Sequence, residues 1–214
     1  MSSRDAILGN VRKALNRAAG LIPTNLAAPR LRIPLLDRNR YETLFGENFE
    51  KLAGKCIFSK ESEVVPVLAE LLQGKTAVAS NAAFLADCGV TRLPQVQSGF
   101  TDREALRSVC ATADVGITSA DYALAETGTL VMLSSPREAR MISLLPPAHI
   151  AVFPRSRLLA NLDELLAILP NPAEQTSSMV LITGPSRTAD IEQILVRGVH
   201  GPGEILAVIV EESN

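Results

Sequence analysis

The sequence has few of the residues from which proteins build metal centres and disulfide frameworks. It contains three cysteines, two histidines and no tryptophan. Iron–sulfur and zinc sites bring cysteines in close pairs, because one turn must present two sulfurs to the same metal. Cys56, Cys88 and Cys110 lie far apart, and an odd number of cysteines is atypical of secreted disulfide frameworks. We therefore expect no metal site in this chain and place the cysteines at small buried core positions.

The sequence also lacks an excess of positive charge and a long apolar run. It has 21 Lys and Arg against 23 Asp and Glu, whereas nucleic-acid-binding proteins usually present a basic face. No apolar run reaches the roughly 20 residues of a membrane-spanning helix, and Leu144–Phe153 is too short and contains two prolines. Residues 1–17 carry charges throughout and lack the apolar region of a signal peptide. These absences indicate a cytoplasmic protein without a nucleic-acid partner or a membrane span.

The composition that remains is typical of one globular domain with an appendage. Of the 214 residues, 47% are hydrophobic, and domains usually hold about 100–200 residues. Residues 4–19 carry an apolar stripe at helical spacing, with Ser3 as the candidate N-cap, and a Pro-rich arm follows. We assign residues 1–50 to the N-terminal helix and arm, and residues 51–214 to an α/β domain. Whether the first helix packs on its own core or on a partner subunit stays open.

Beyond the arm, short apolar segments alternate with segments of helical period. The apolar segments predict strands at 56–58, 76–79, 115–118, 130–133, 150–153, 179–182 and 205–210. Helices are predicted at 41–52, 61–73, 81–88, 102–112 with Thr101 as N-cap, 137–144, 161–169 and 188–196. Strands that are apolar throughout are covered on both faces, and their alternation with helices favours parallel pairing. The sequence therefore predicts a three-layer α/β fold with a mostly parallel sheet.

The first candidate site is the polar segment between two predicted strands in residues 117–133. In open α/β sheets, ligands bind beyond the carboxyl ends of the strands. The segment holds one carboxylate at its start and a carboxylate beside a glycine and two hydroxyls further on: Asp121, Glu126, Thr127, Gly128 and Thr129. Glu126 could act as a nucleophile, as a general base or as the acceptor for a ligand hydroxyl. The alternative is that these residues only satisfy the backbone of a turn.

The second candidate site is the glycine- and hydroxyl-rich segment in residues 182–192. It contains Gly184, Ser186, Arg187 and Thr188 between a predicted strand and a predicted helix. Free N–H groups at a helix start, beside these side chains, would bind a phosphate or carboxylate. The alternative is an ordinary connection in which Ser186 or Thr188 is an N-cap. The segment is not a Walker motif, because GxxxxGK[ST] is absent.

The third candidate site surrounds His200 in residues 196–205. Gly201 and the neighbouring Gly and Pro residues predict a tight, irregular loop. A histidine titrates near neutrality and can donate, accept or bind metal, so His200 is a candidate catalytic group. A hydrogen-bonded turn histidine explains the same pattern. His149 opens an apolar strand and is interpreted as structural.

Together and in this order, ADYALAETGTLV (120–131), ITGPSRTADIE (182–192) and GVHGPGE (198–204) resemble the LUD-domain family, specifically its LutC/YkgG branch. The N-terminal helix ahead of a Pro-rich arm is similar to that branch as well. The resemblance implies a fold similar to the NagB/RpiA/CoA-transferase-like group. It also implies a role in bacterial L-lactate utilisation, in which two iron–sulfur partner proteins carry the redox centres for oxidation to pyruvate. This chain would then be an accessory or substrate-binding component that binds no cofactor itself.

Two other functions stay open at this point. CoA transferases of that fold group form an acyl–glutamyl thioester on a Glu beside Gly, which Glu126-Thr127-Gly128 resembles loosely, with Thr127 in place of Asn. A non-catalytic assembly scaffold would use the N-terminal helix to dock its partners. If a small carboxylate binds, Arg187, Ser186 and the helix-start amides would hold it, with Glu126 or His200 facing its 2-hydroxyl.

Overall fold

The chain divides into two units, residues 1–35 and 36–214. The structure, a computed structural model, describes residues 3–16, 18, 37–189 and 195–212. In the first unit, helix α1 spans Ser3–Ala14, so Ser3 is its first residue and not its N-cap. The helix ends before the predicted Ala19 because Asn16 turns to a φ of 51° and donates its N–H to the Lys13 carbonyl. Most of the predicted arm lies outside the described residues.

The second unit begins with helix α2, which packs on the α/β domain. Its first half contains α2 (Tyr41–Lys51), β1 (Lys55–Lys60), α3 (Val64–Leu71), β2 (Ala77–Ala79), α4 (Ala83–Asp87), β3 (Val96–Gln97), α5 (Arg103–Cys110) and β4 (Val115–Thr118). Its second half contains β5 (Tyr122–Leu124), β6 (Thr129–Leu133), β7 (Ala148–Pro154), β8 (Leu158–Leu159), α6 (Leu162–Ile168), α7 (Pro172–Gln175), β9 (Met179–Ile182), β10 (Arg187–Ala189), β11 (Leu195–Arg197) and β12 (Glu204–Glu211). Short 3₁₀ helices lie at Arg38–Arg40, Glu61–Glu63, Val90–Arg92, Arg140–Ser143 and Arg155–Arg157.

A six-stranded parallel sheet forms the centre of the domain, in the order β1-β12-β7-β4-β2-β3. Side chains alternate between its faces, so that Ile150 and Val152 of β7 join the core under α3 and α4. Ala151 and Phe153 point to the opposite face, where Phe45 of α2 packs. Both faces are apolar because both are covered, which confirms the predicted α/β class and the mostly parallel sheet.

A second sheet covers part of the face of the main sheet on which α2 packs. The sequence predicted that helices alone would cover this face. Its order is β8-β5-β6-β9, with antiparallel pairs β5–β6 and β6–β9 and a parallel pair β5–β8. The strands predicted at 130–133 and 179–182 therefore pair with each other here, and not in the main sheet. The four-residue turn 125–128 joins β5 to β6, and strands joined by so short a turn can only pair antiparallel, so β6 lies in the second sheet and β9 pairs with its other edge.

Three local predictions are wrong. The predicted helix 188–196 is a hairpin, in which Thr188 of β10 pairs with Val196 of β11. β-branched residues favour strands, and residues 190–194 lie outside the described part of the chain. The helix predicted at 137–144 shrinks to the 3₁₀ helix Arg140–Ser143, since Ser135 holds the preceding residues in a turn. Asp102, and not Thr101, caps α5, because its carboxylate accepts the Ala105 N–H at 2.7 Å.

Two of the three cysteines occupy the buried core positions predicted for them. Cys88 and Cys110 are buried and Cys56 is half-buried, and all three are free thiols. Burial, with smaller contributions from Glu50 and Glu42, raises the pKa of Cys56 to about 12. Thiols with raised pKa values are weak nucleophiles at neutral pH. Within the described residues, none of the helices is long and apolar enough to cross a membrane.

Candidate functional site

The turn between β5 and β6 holds the first predicted site against helix α2. Asn48 of α2 donates its side-chain amide to the carbonyl oxygens of Ala125 and Glu126, at 3.1 and 2.9 Å. The side chains of Glu126 and Thr127 are exposed. The structure therefore holds the backbone of Glu126 in place, and leaves its carboxylate in solvent.

Gly128 is required by the close approach of this turn to α2. Its φ is 59°, in the left-handed region that favours glycine, and a Cβ here would lie 2.4 Å from the backbone nitrogen of Phe49. The sequence suggested that Gly128 lets the backbone approach a ligand. The structure shows that it lets the turn approach helix α2 instead.

Replacing Gly128 with Ala is expected to destabilise the fold by about 2–4 kcal/mol, since the left-handed backbone and the contact with α2 both oppose a Cβ. Urea unfolding measures the loss. Gly74→Ala is the matched control, because Gly74 has a φ of 70° but open space around its Cβ. Its loss should be only about 1 kcal/mol. Equal losses for the two variants would show that α2 does not press on the turn.

A chain of three hydroxyls connects this turn to the second predicted segment. Thr127 Oγ1 lies 2.7 Å from Thr129 Oγ1, which lies 2.9 Å from Thr183 Oγ1 just after β9. Thr129 is buried between its two exposed partners. The hairpin β5–β6 and the end of β9 are therefore neighbours, as the grouping of the two motifs had suggested.

The second segment also contacts α2, at that helix's carboxyl end. Gly184 has a φ of 96°, and a Cβ there would lie 2.9 Å from the Leu52 carbonyl oxygen. Arg187 donates to the same oxygen at 2.5 Å. Because one helix packs against both segments, the tertiary structure brings Gly128, Gly184 and Arg187 into a single neighbourhood.

The predicted anion site at a helix start is wrong. Thr188 lies in strand β10, so the helix whose free N–H groups would bind the anion does not form here. The Ser186 N–H donates to the Pro202 carbonyl at 2.9 Å, and the Gly198 N–H donates to Ser186 at 3.0 Å. A Cβ on Gly201 would lie 3.4 Å from the Ser186 side chain. The second and third motifs pair with each other, and the main-chain groups proposed for a ligand are already used.

The two predicted catalytic residues are not joined to each other. Glu126 and His200 are both exposed, and no hydrogen bond or ion pair among the described residues links them. Asp121 is half-buried, and its carboxylate accepts the Leu133 N–H of β6 at 2.7 Å. Burial raises the pKa of Asp121, against the opposing effects of that N–H and of Arg157. Its first role is to hold β6 beside the end of β4.

A buried polar cluster that the sequence analysis did not single out lies at the carboxyl ends of β2 and β4. After β2 the chain runs outward to β3 and then crosses back to β4, so the sheet order reverses between β2 and β4. Such switch points are where open α/β sheets bind ligands. Ser80 follows β2 and Ser119 follows β4. Both bind Glu138 Oε1, with Ser80 Oγ at 2.7 Å and the Ser119 N–H at 3.0 Å.

Glu138 is a buried carboxyl group with one unused oxygen. Its side chain is 8% exposed, and its Oε2 atom has no hydrogen-bond partner among the described residues. Burial raises the pKa of Glu138 to about 7, although Ser80, Ser119 and Arg157 oppose the rise. A carboxyl group with this pKa holds or releases a proton near neutral pH, which is the property of a general acid or base.

Arg157 brings a positive charge from the 3₁₀ helix that follows the neighbouring strand β7. Its Nη1 donates to Ser119 Oγ at 2.9 Å and to the Ala120 carbonyl at 2.7 Å. Its guanidinium lies 5.7 Å from the centre of the Phe84 ring. Its hydrogen-bond acceptors are neutral, and its charge acts on the nearby carboxyl groups of Glu138 and Asp121. The segments after three adjacent strands, together with the turn that holds Glu138, thus bring a cation, hydroxyls and a protonatable carboxyl to one place.

Part of this cluster was visible in the sequence. Ser80 and Ser119 follow predicted strands, and carboxyl ends of neighbouring parallel strands meet at one edge of a sheet. Glu138 gives no such signal, because it lies in a turn of residues 135–138 outside any motif. Its role depends on that turn folding back over the edge of the sheet.

Comparison with known proteins places these features in a family. The model of the LUD domain family matches residues 43–210. The chain is 42% identical to lactate utilization protein C of Halalkalibacterium halodurans over 116 residues, which cover 52% of the chain and 50% of that protein. It is 40% identical to the Bacillus subtilis protein of that name over 47% of the chain and 43% of that protein. The match spans about half the length of these relatives.

Two further matches extend over more of the chain. Lactate utilization protein C of Macrococcus caseolyticus is 28% identical over 98% of the chain and 96% of that protein. The crystal structure of a DUF162 family protein from Deinococcus radiodurans has a TM-score of 0.63 and covers 82% of this chain and 99% of that one. At 18% identity this second match shows the fold alone.

Proposed function

The chain belongs to the LUD domain family, and on this premise we propose that it is an accessory or substrate-binding component of an L-lactate utilisation system. In this proposal, iron–sulfur partner proteins carry the redox centres, and this chain binds the small carboxylate. The relatives named as lactate utilization protein C support the pathway, one of them along nearly the whole chain. The observation that carries the binding role is that Glu138 and Arg157 both bind Ser119 at the switch point.

The chemistry of this cluster suits a small 2-hydroxy acid. Arg157 offers a guanidinium to the carboxylate, after exchanging one of its neutral acceptors. Oε2 of Glu138 is the unused acceptor for the 2-hydroxyl. Oxidation of lactate to pyruvate would release two electrons and two protons. The iron–sulfur proteins would take the electrons, an ionised Glu138 would take the hydroxyl proton, and the proton from the broken Cα–H bond would pass to water. Glu126, His200 and Arg187 stay predictions for a second part of the site.

The test is lactate-dependent electron transfer by the purified partners, with and without this chain. We expect the chain to be required, and Glu138→Gln to lower the rate by about 10²-fold, because an amide cannot accept the proton. The matched control is Glu70→Gln, the same change at an exposed carboxylate of α3 that belongs to no predicted site. Co-purification of each variant with the partners separates lost binding from lost assembly.

The other outcomes separate the alternatives. If the partners alone reach the full rate, the proposed role is refuted. If the chain is required but Glu138→Gln and Glu126→Gln both keep the full rate, it is an assembly scaffold. If Glu126→Gln abolishes an acyl intermediate that hydroxylamine traps in the wild-type chain, the CoA-transferase-like alternative is correct and Glu126 is its acyl acceptor.

A further inference from the structure

A groove of about 820 Å³ runs beside α5 and is lined by three arginines. We call it the arginine groove. One wall is α5 with Arg103 and Arg107, and the other is the segment that leads into β7, with Arg140. Leu106 forms part of its floor and is buried, whereas Leu144 and Leu145 are 37% and 50% exposed at its rim. The groove is therefore both apolar and positively charged.

The three charges have no acidic partner among the described residues. The two ion pairs found among the described residues join Arg155 to Glu42 and to Glu211. Asp102 also lines the groove, but its carboxylate caps α5 through the Ala105 N–H. Among the residues that the structure describes, the Arg140 guanidinium donates to one neutral hydroxyl, that of Ser178, at 3.0 Å. The groove thus keeps a local positive charge in a protein whose formal net charge is -2.

The placement of Arg103 opposes the stability of α5, because it lies in the first turn, where the helix dipole disfavours a positive charge. Arg107 lies in the last turn, where the dipole favours it, but it follows Arg103 by four residues on the same side of the helix, so the two like charges repel each other. An anion bound between them would offset this repulsion and the unfavourable position of Arg103.

We propose that the arginine groove binds a phosphorylated organic anion of nucleotide size. The arginines would bind the phosphates through paired N–H donors, and Phe100, Met141 and the two rim leucines would contact the apolar part. The volume falls within the roughly 300–1,000 Å³ of small-molecule sites and is far more than lactate needs. This site goes beyond the proposed function and depends on none of its residues.

The groove is physically connected to the switch point. The side chain of Asn81, next to Ser80, donates to the Phe100 carbonyl at 2.8 Å and accepts the Gly99 N–H at 2.9 Å. Phe100 and Leu106 of the groove also line a small cavity that reaches Ala79 and Asn81 at the end of β2. A ligand in the groove would therefore contact the segment that Asn81 ties to the Glu138 cluster.

The test is calorimetric titration of the full-length chain with ADP and with inorganic pyrophosphate as probes. We expect saturable binding of ADP that weakens as salt is raised, and weaker binding of pyrophosphate, which lacks an apolar part. The double variant Arg103→Gln/Arg107→Gln and the single variant Arg140→Gln should each weaken ADP binding at least about tenfold. Arg92→Gln, at an exposed arginine outside the groove, is the control and should change nothing.

A thermal scan gives a second readout that does not depend on calorimetry. ADP should raise the Tm of the wild-type chain and of Arg92→Gln, and leave that of the double variant unchanged. The proposal is overturned if neither probe binds, if pyrophosphate binds as tightly as ADP, or if the arginine variants bind as the wild type does. It is also overturned if only poly-glutamate binds in an arginine-dependent way, because the groove would then accept an acidic protein segment.

Discussion

Glu138→Gln is expected to remove a pH dependence of about 3 kcal/mol from the stability of the fold. Burial raises the pKa of Glu138 from 4.5 to about 7, and each pKa unit corresponds to about 1.4 kcal/mol. Between these two values the folded chain holds a proton that the unfolded chain has released. This contribution is therefore fully present below pH 4.5 and is lost as the pH rises through 7.

The measurement is urea unfolding of the wild-type chain and the variant between pH 4.5 and 8. The buried amide has a cost of its own, about 1–3 kcal/mol, at every pH. The readout is therefore the change with pH in the difference between the two chains. It should move by about 3 kcal/mol in favour of the variant at pH 8. Glu126→Gln, at an exposed carboxylate, should show no such change.

The wild-type chain and the Glu138 variant must be compared at each pH, because His149 adds a pH dependence of its own to the stability of both. It is fully buried in β7, with its Nε2 atom 2.8 Å from Thr118 Oγ1, and burial lowers its pKa from 6.5 to about 4. Its contribution to stability is present above pH 6.5 and is lost as the pH falls towards 4, opposite in sign to that of Glu138. It is common to both chains and cancels in the difference. A difference that stays flat with pH would mean that Glu138 ionises normally, and its role as a proton acceptor would fall.

Gly116→Ala is expected to have the largest effect on folding, a loss of about 4 kcal/mol or more. Gly116 lies in β4, between β2 and β7, and a Cβ there would lie 1.8 Å from the Ile142 carbonyl oxygen. That atom belongs to the backbone, so relief would require the 3₁₀ helix or the central strand to move. A close-packed interior resists such a movement.

The matched control is Gly46→Ala in helix α2. Its Cβ would meet the Phe58 ring at 3.6 Å, an ordinary contact. Alanine inside a helix is more stable than glycine by about 1 kcal/mol, so this variant should gain stability. Urea unfolding of both variants gives the comparison, or the yield of folded protein if Gly116→Ala does not fold. Similar stabilities for the two would show that the Ile142 carbonyl does not pack on β4.

The sequence by itself determined most strands of the main sheet, because continuous apolar runs are typical of strands that are covered on both faces. Residues 205–210 and 150–153 were predicted as strands and form the parallel pair β12–β7. The three ordered motifs were also sufficient to indicate the LUD domain family, which the match over residues 43–210 confirms. The strands and the family motifs follow from local composition and from the order of segments along the chain, and folding changes neither.

Only the tertiary structure decided which residues meet. The Gly128 turn looked like a ligand loop, and the structure shows that α2 occupies the space beside it. The helix predicted over 188–196 became a hairpin, since pairing between strands outweighs a weak helical pattern. Glu138 became the centre of the candidate site because Ser80 and Ser119, distant in sequence, supply its hydrogen bonds. Burial and long-range contacts are properties of the folded chain, and no local pattern encodes them.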